Sequence, residues 1–357
     1  MGRKNYKALV LGICTCLSSC MKDKPVNTPV TTPGATGNVY IICEGNYGNG
    51  DASLYAYQPT KDSVYGDLYK IANNQSLGDV FQSMQHIGNE LFLCVNNSNK
   101  IAILNAGNWK LTDTIVIPQP RYILPVTATK AYVSTLYSNQ VYIINPQTNQ
   151  VTGTITMPGL NAEEMCLYYN SAFTASWDTS GNKIFELNST TNQVANTITV
   201  GGYAPQQVLL DKNQMLWILA GDQPEGKIAT LTQIDPSSGS MLKSYTFPAQ
   251  ADPLKMVFNS TKDTLYFIEA NYNGGTTNNG IYRMNISDSS LPSVPFLQAV
   301  QYQYFYALGI DPKSGYIYVG DPKGFIQKGS VYVLRPDGTQ VTTFNVGVGP
   351  GDFYFDY

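Results

Sequence analysis

One histidine, His86, serves the whole 357-residue chain, and only 13% of the residues carry charge. A single imidazole excludes a His-based metal cluster, and a His base would have to act from the turn side of its repeat, where His86 falls. Cysteine is also scarce. Of six, only Cys43, Cys94 and Cys166 lie beyond residue 20. Their odd number argues against a disulfide framework, and their apolar neighbours make them small buried hydrophobes. There is no Cys-x-x-Cys-His for covalent haem and no D-x-[DN]-x-[DN]-G loop for calcium. Asp51, Asp178 and Asp222 are loop carboxylates without that spacing. The net charge is −3 with no basic block, which argues against nucleic acid as a partner. After the first forty residues no stretch has a 3.6-residue apolar period, so helices are not expected to build the core.

What the sequence has instead is Gly, Asn, Thr and Tyr, and one stretch written three times. Residues 99–117, 139–157 and 182–200 each carry an alternating apolar run, a polar turn built on Asn, Pro, Gly or Ser, and a Thr-rich alternating run. Alternation across a turn is a β-hairpin. The copies begin 40 and then 43 residues apart. A strand-only repeat of that period predicts a β-propeller of four-stranded blades, which must stack because one blade cannot bury its apolar face. Tiling gives blade two at 80–119, three at 120–160, four at 161–202, five at 203–249, six at 250–298 and seven at 299–346. Residues 39–69 then supply three strands without an innermost one, and 352–357 supply one strand without a blade. The expectation is an all-β, seven-bladed propeller whose blade one is closed by the N- and C-terminal strands, leaving no free sheet edge.

The N-terminus carries its own signal. Arg3, Lys4 and Lys7 precede the apolar run Ala8 to Leu17, which is too short to span a bilayer and reads as a secretion signal. The run ends in Leu17-Ser18-Ser19-Cys20, which resembles a bacterial lipobox. That resemblance implies cleavage before Cys20 and a lipid on it; the plain alternative is a signal peptide with an incidental Cys. Met21-Lys22-Asp23-Lys24 partly matches the surface-export signal of Bacteroidota lipoproteins. Residues 25–37 are Pro/Thr/Gly-rich and read as a tether with a reach of up to ~50 Å. The expected division is a signal peptide at 1–19, a lipidated Cys and tether at 20–37, and the propeller at 38–357, held at the outer membrane by lipid alone.

Within the propeller, the turns joining the first to the second and the third to the fourth strand of each blade are short and polar. The loops on the other face are longer, rich in Gly and Asn, and punctuated by aromatics. Binding groups usually sit on such loops of a rigid scaffold. Tyr142 and Tyr332, inside strands, are read as cross-strand packing. Tyr47, Tyr137, Trp177, Tyr203, Tyr272 and Phe325 all fall on the long-loop face and are read as a ligand platform. Asp222 lies on the same face. Arg121, followed by Tyr122, opens an innermost strand near the axis. It either donates to a carbonyl, carboxylate or phosphate of a ligand, or it is tied to Asp79 or to tunnel carbonyls. Asp79 and Gln82 occupy the matching position of the preceding blade, and Asn96 ends that blade's second strand. No catalytic constellation and no cofactor site emerges. A carboxylate pair for glycoside cleavage has no distinguishing spacing here.

The segments Cys43-EGNYGNG-DASLYAY, Leu77-GDVFQSM, Val95-NNSNKI, Pro120-RYI and Phe305-YALGIDPKSGYIYVGDPKGFIQKGSVYVLRPDG resemble the YncE-like propeller lipoproteins of Bacteroidota, over essentially the whole domain. That group includes surface lipoproteins of the BtuG type, which bind vitamin B12. The resemblance implies capture of cobalamin as cargo and its transfer to a TonB-dependent outer-membrane transporter. The alternatives are a protein-docking propeller in a surface complex, with the aromatic loops as its interface, and a loop-face hydrolase or lyase.

Overall fold

The computed structural model describes residues 37–270, 279–300 and 303–357, together with the two-residue strand Val26–Asn27. Six four-stranded antiparallel sheets and one five-stranded sheet form the fold. The innermost strands are Phe81–Ile87, Pro120–Thr127, Ala162–Tyr168, Pro205–Leu210, Pro253–Phe258, Ala307–Ile310 and Pro350–Asp356. Each touches the next in cyclic order, and Pro350–Asp356 touches both Phe81–Ile87 and Ala307–Ile310, so the ring closes.

Closure follows the sequence expectation. Pro350–Asp356 pairs antiparallel with Asn38–Cys43, placing Tyr40 opposite Tyr354, and Ser53–Gln58 and Ser63–Tyr65 continue that sheet outward. The third strand is shorter than the sequence suggests. Leu68–Asn73 forms a one-and-a-half-turn helix because the Asp67 carboxylate accepts from the Lys70 amide at 3.3 Å, an N-cap, while Leu68 and Tyr69 are buried between blades one and two. Val26–Asn27, inside the stretch read as a tether, pairs in parallel with Val64–Tyr65 as a fifth strand. The leader, Cys20 and Tyr272 lie outside the described residues. Among the described residues no helix is long and apolar enough to cross a membrane.

The core lies between blades rather than at the axis. Seven apolar clusters fill the seven gaps between neighbouring sheets. Second strands are therefore buried on both faces: Leu91–Val95, Ala172–Ser176 and Leu216–Gly221 are buried throughout. They read as continuous apolar runs, as sheets covered on both sides require. Each such Leu, Ile or Phe contributes about 1.5–3 kcal/mol. Fourth strands alternate, as in Gln150–Thr156, where Ile155 is buried among exposed neighbours. The polar turns before them are Asx turns: Asn105, Asn145, Asn188, Asp235 and Asn285 each accept from the amide two residues on at 2.8–3.0 Å.

A second device repeats at the axis. The residue just before the innermost strand has a positive φ in five blades: Val80 (57°), Gln119 (43°), Asn161 (56°), Ala204 (54°) and Gly349 (62°). Its carbonyl accepts from the residue that ends the neighbouring second strand or follows it: Asn96, Leu136, Trp177, Gly221 and Glu44, at 2.7–3.1 Å. A β-branched residue such as Val80 is rarely found in this region of backbone space. The repeated amide–carbonyl bond holds it there.

Candidate functional site

Beyond that turn, the register between first and second strands slips at Phe81/Ser83, Ala162/Met165, Pro205/Gln207 and Leu254/Val257. These β-bulges place an extra residue on the inner strand, so consecutive residues can both line the axis. The second residues of five inner strands, Gln82, Arg121, Glu163, Gln206 and Leu254, line a cavity of about 650 Å³ on the long-loop face. The third residues of Ala162–Tyr168 and Pro350–Asp356, Glu164 and Asp352, line a separate cavity of about 480 Å³ on the short-turn face. Tyr122, Gln207 and Lys255 line both and mark the waist of an axial channel.

The floor of the larger cavity is a hydrogen-bonded network. Arg121 donates from Nε and Nη2 to both carboxylate oxygens of Glu163, at 2.9 Å each, and from Nη1 to Gln82 Oε1. This bidentate fork is the strong form of an ion pair; Glu163 is buried and Arg121 is partly so, their side chains 4% and 13% exposed. Gln82 in turn donates to the Tyr122 hydroxyl at 3.3 Å. Desolvation alone would lower the Arg121 pKa, but Glu163, Tyr122 and Glu44 together outweigh it and keep the guanidinium charged. Burial pushes the Glu163 carboxyl up against the pull of Arg121. Glu44 behaves alike: burial raises it, while Lys255, Arg121 and a hydrogen bond from the Tyr306 hydroxyl at 3.2 Å oppose the rise.

The walls are aromatic. Tyr47 and Tyr137 stand 77% and 79% exposed at the rim. Trp177 is half-buried and its indole donates to Asp222 Oδ2 at 3.1 Å. Phe325 packs edge-on against Tyr306, ring centres 4.9 Å apart. Of the residues singled out from sequence, Tyr47, Gln82, Asn96, Arg121, Tyr122, Tyr137, Trp177, Asp222 and Phe325 thus meet around one cavity.

Others do not. Asp79 is not the partner of Arg121; its Oδ2 accepts from the Gly48 amide and the Asn97 side chain, which ties two rim loops together. Tyr203 stands off the cavity, its ring 5.5 Å from Lys227 Nζ. Asn96 lines the cavity but spends its amide on the Pro120 carbonyl at 3.2 Å, so it braces the neighbouring inner strand. His86, on the short-turn face, contacts Asp356 Oδ1 at 2.7 Å and stitches blade two to the closing strand. Cys43, Cys94 and Cys166 are free thiols; Cys43 and Cys94 are buried and Cys166 is half-buried.

The sequence reading missed Glu44, Glu163, Glu164, Gln207, Lys255, Tyr306 and Asp352. A signal was there: Pro opens four of the seven inner strands, at 120, 205, 253 and 350. Aligning the chain on those prolines brings a polar residue to the second or third place of each. Among the described residues no group of three or more His, Cys, Asp or Glu is placed to hold a metal ion.

Several solved structures share the fold. A quinonprotein alcohol dehydrogenase-like protein from Bacteroides thetaiotaomicron superposes with a TM-score of 0.66 at 16% identity, over 90% of this chain and 78% of that one. The hydrazine synthase of Kuenenia stuttgartiensis gives 0.60 at 15% identity, over 74% and 86%. A dihydro-heme d1 dehydrogenase, NirN, solved in complex with DHE, gives 0.58 at 8% identity, over 95% and 78%. At these identities the likeness is one of fold alone. No curated protein sequence matches the chain. The pattern of the family described as Domain of unknown function (DUF5074) matches residues 37–355, nearly the whole propeller, and the chain belongs to that family.

Proposed function

We propose that the protein is a non-catalytic capture module that binds a broad, amide-rich small molecule on the long-loop face of the propeller. The observation that supports this reading is the convergence of aromatic rims and a fixed polar floor on one cavity. Tyr and Trp offer contact area at little rotamer cost. A floor locked by the Arg121–Glu163–Gln82 network is ordered before the ligand arrives, which lowers the entropic cost of binding.

The resemblance to BtuG-type lipoproteins makes cobalamin the cargo of this proposal. A corrinoid overfills 650 Å³, so one edge would enter the cavity while the macrocycle lies across Tyr47 and Tyr137. In the same proposal, lipid on Cys20 holds the propeller at the outer surface and raises its effective concentration at a TonB-dependent transporter. Titration calorimetry with cyanocobalamin and cobinamide tests the cargo. Heat at micromolar protein, weakened at least tenfold in Trp177→Ala/Tyr137→Ala, supports it. Silence removes cobalamin. Binding that the double substitution leaves untouched moves the ligand away from this cavity.

A second reading, protein docking, is favoured by the apolar rim itself. Ile326, 78% exposed, directly follows Phe325, which lines the cavity with Tyr47. Retention of a transporter partner by the ligand-free protein, lost in Ile326→Asp, would favour it.

A further inference from the structure

The short-turn face is plain in sequence, yet the 480 Å³ cavity at that end of the channel has the size of a small-molecule site. Its walls are mostly apolar, among them Leu167, Leu209, Leu210, Phe258, Leu308 and Ile310, with Asn259, Ser260 and the exposed Lys262 along one side. Its floor is charged and mixed in sign, made by Glu164, Asp352 and Lys255.

Each of these groups has hydrogen-bonding capacity to spare. The Lys255 ammonium forms no hydrogen bond and no ion pair within 4.0 Å of a described residue; its nearest aromatic neighbour, Tyr306, lies 5.8 Å away. The carboxylate of Glu164 accepts from Gln207 on Oε2 alone, at 2.7 Å. Among the described residues Asp352 accepts from the Phe353 amide alone, on Oδ1, at 2.9 Å. An ammonium carries three donors, and the half-buried Lys255 leaves them open to the channel.

The backbone is arranged around Lys255 as well. In five blades the left-handed residue precedes the inner strand; in blade six it is Lys255 itself, inside the strand at φ 53°. A non-Gly residue held in that region is a common mark of a functional position. The shift departs from the repeat and brings the ammonium to the waist of the channel.

We propose that this end of the channel is a second binding site, for a small zwitterion with an apolar side chain, of the kind a free hydrophobic amino acid presents. The ligand carboxylate meets Lys255, its ammonium meets Glu164 and Asp352, and its side chain lies against the leucines. Burial raises both carboxyls from their ordinary values, Glu164 to about 7, and the charge of Lys255 offsets that rise only in part. The site shares Lys255 with the larger cavity, but Glu164, Asp352 and Leu210 line this end alone, so the two readings can be tested separately.

Calorimetry with phenylalanine, phenethylamine and 3-phenylpropionate tests it, because the latter two each lack one charge of the head. Phenylalanine is expected to bind at least tenfold more tightly than either fragment. Lys255→Met and Glu164→Gln should each weaken it by tenfold or more, and Leu210→Trp should abolish it by filling the cavity. Trp177→Ala should leave it unchanged, which separates this site from the corrinoid test. Circular dichroism and thermal midpoints establish that each variant is folded. No heat with millimolar phenylalanine, equal binding of phenethylamine, or full affinity in folded Lys255→Met overturns the proposal.

Discussion

Arg121→Met removes the cation from the most buried ion pair of the channel and leaves Glu163, 3% exposed, without its partner. Breaking such a pair from one side costs about 3–5 kcal/mol, because a charge is left desolvated. Coulomb's law agrees in scale: two unit charges about 4 Å apart interact by ~4 kcal/mol at an effective dielectric of 20. The loss has an upper bound, since Glu163 can take a proton. In the variant its folded pKa, already raised by burial in the parent, rises further above the unfolded value of about 4.3, so the folded state binds more protons than the unfolded one over a wider pH range. Stability then falls by up to about 1.4 kcal/mol per pH unit from there up to the new folded pKa. The deficit should be near its maximum at pH 8 and small at pH 4.5. Urea unfolding followed through Trp109, Trp177 and Trp217 measures it across that range. Arg121→Met/Glu163→Gln should recover most of the loss and flatten the pH dependence. A single variant within 1 kcal/mol of the parent at pH 8, or a deficit independent of pH, would refute this account of the floor.

Glu164, held at about 7 by burial, weakens the fold as pH rises from about 4.3 towards 7. Glu164→Gln should therefore raise the unfolding free energy at pH 8, by up to roughly 3–4 kcal/mol, and change little at pH 4.5; equal effects at both values would contradict it. Gly347→Ala places a methyl 2.1 Å from Ser53 Oγ and 3.0 Å from Cys43 Cβ, and overpacking of that kind costs about 1–3 kcal/mol; an unchanged thermal midpoint would show that blades one and seven can part. Deleting 350–357 removes the inner strand of blade one and the Tyr354 hydroxyl that accepts from the His86 amide. The shortened chain should lose cooperative unfolding and regain it with the 350–357 peptide added; native-like melting without the peptide would mean that closure is dispensable.

Blade order and closure were legible because they rest on local patterns. Three near-identical hairpins set the period, and an unpaired strand at each end could only complete one sheet. The rim was legible for a similar reason: Tyr47, Tyr137, Trp177 and Phe325 sit in loops whose face follows from strand parity. The channel was not. Glu163, Lys255 and Asp352 lie 92 and 97 residues apart in sequence, and each blade contributes a different residue type, so no repeat announces them. The bulges also set aside strict alternation, which would have sent Glu163 and Glu164 to opposite faces. Arg121 illustrates the error that follows. Its partner was sought in the preceding blade, at Asp79, and lies in the following one, at Glu163. Tyr69 shows the opposite case, where the Asp67 cap turned an expected strand into a helix.

The left-handed residue that precedes the inner strand in five blades is gripped through its carbonyl, an atom that every amino acid possesses. Val, Gln, Asn, Ala and Gly all serve at that place. What comes next in the chain is thus aimed at the centre without any demand on its chemistry. Such a frame lets a lineage exchange the groups that meet a guest one spoke at a time, keeping the wheel intact while its tastes change.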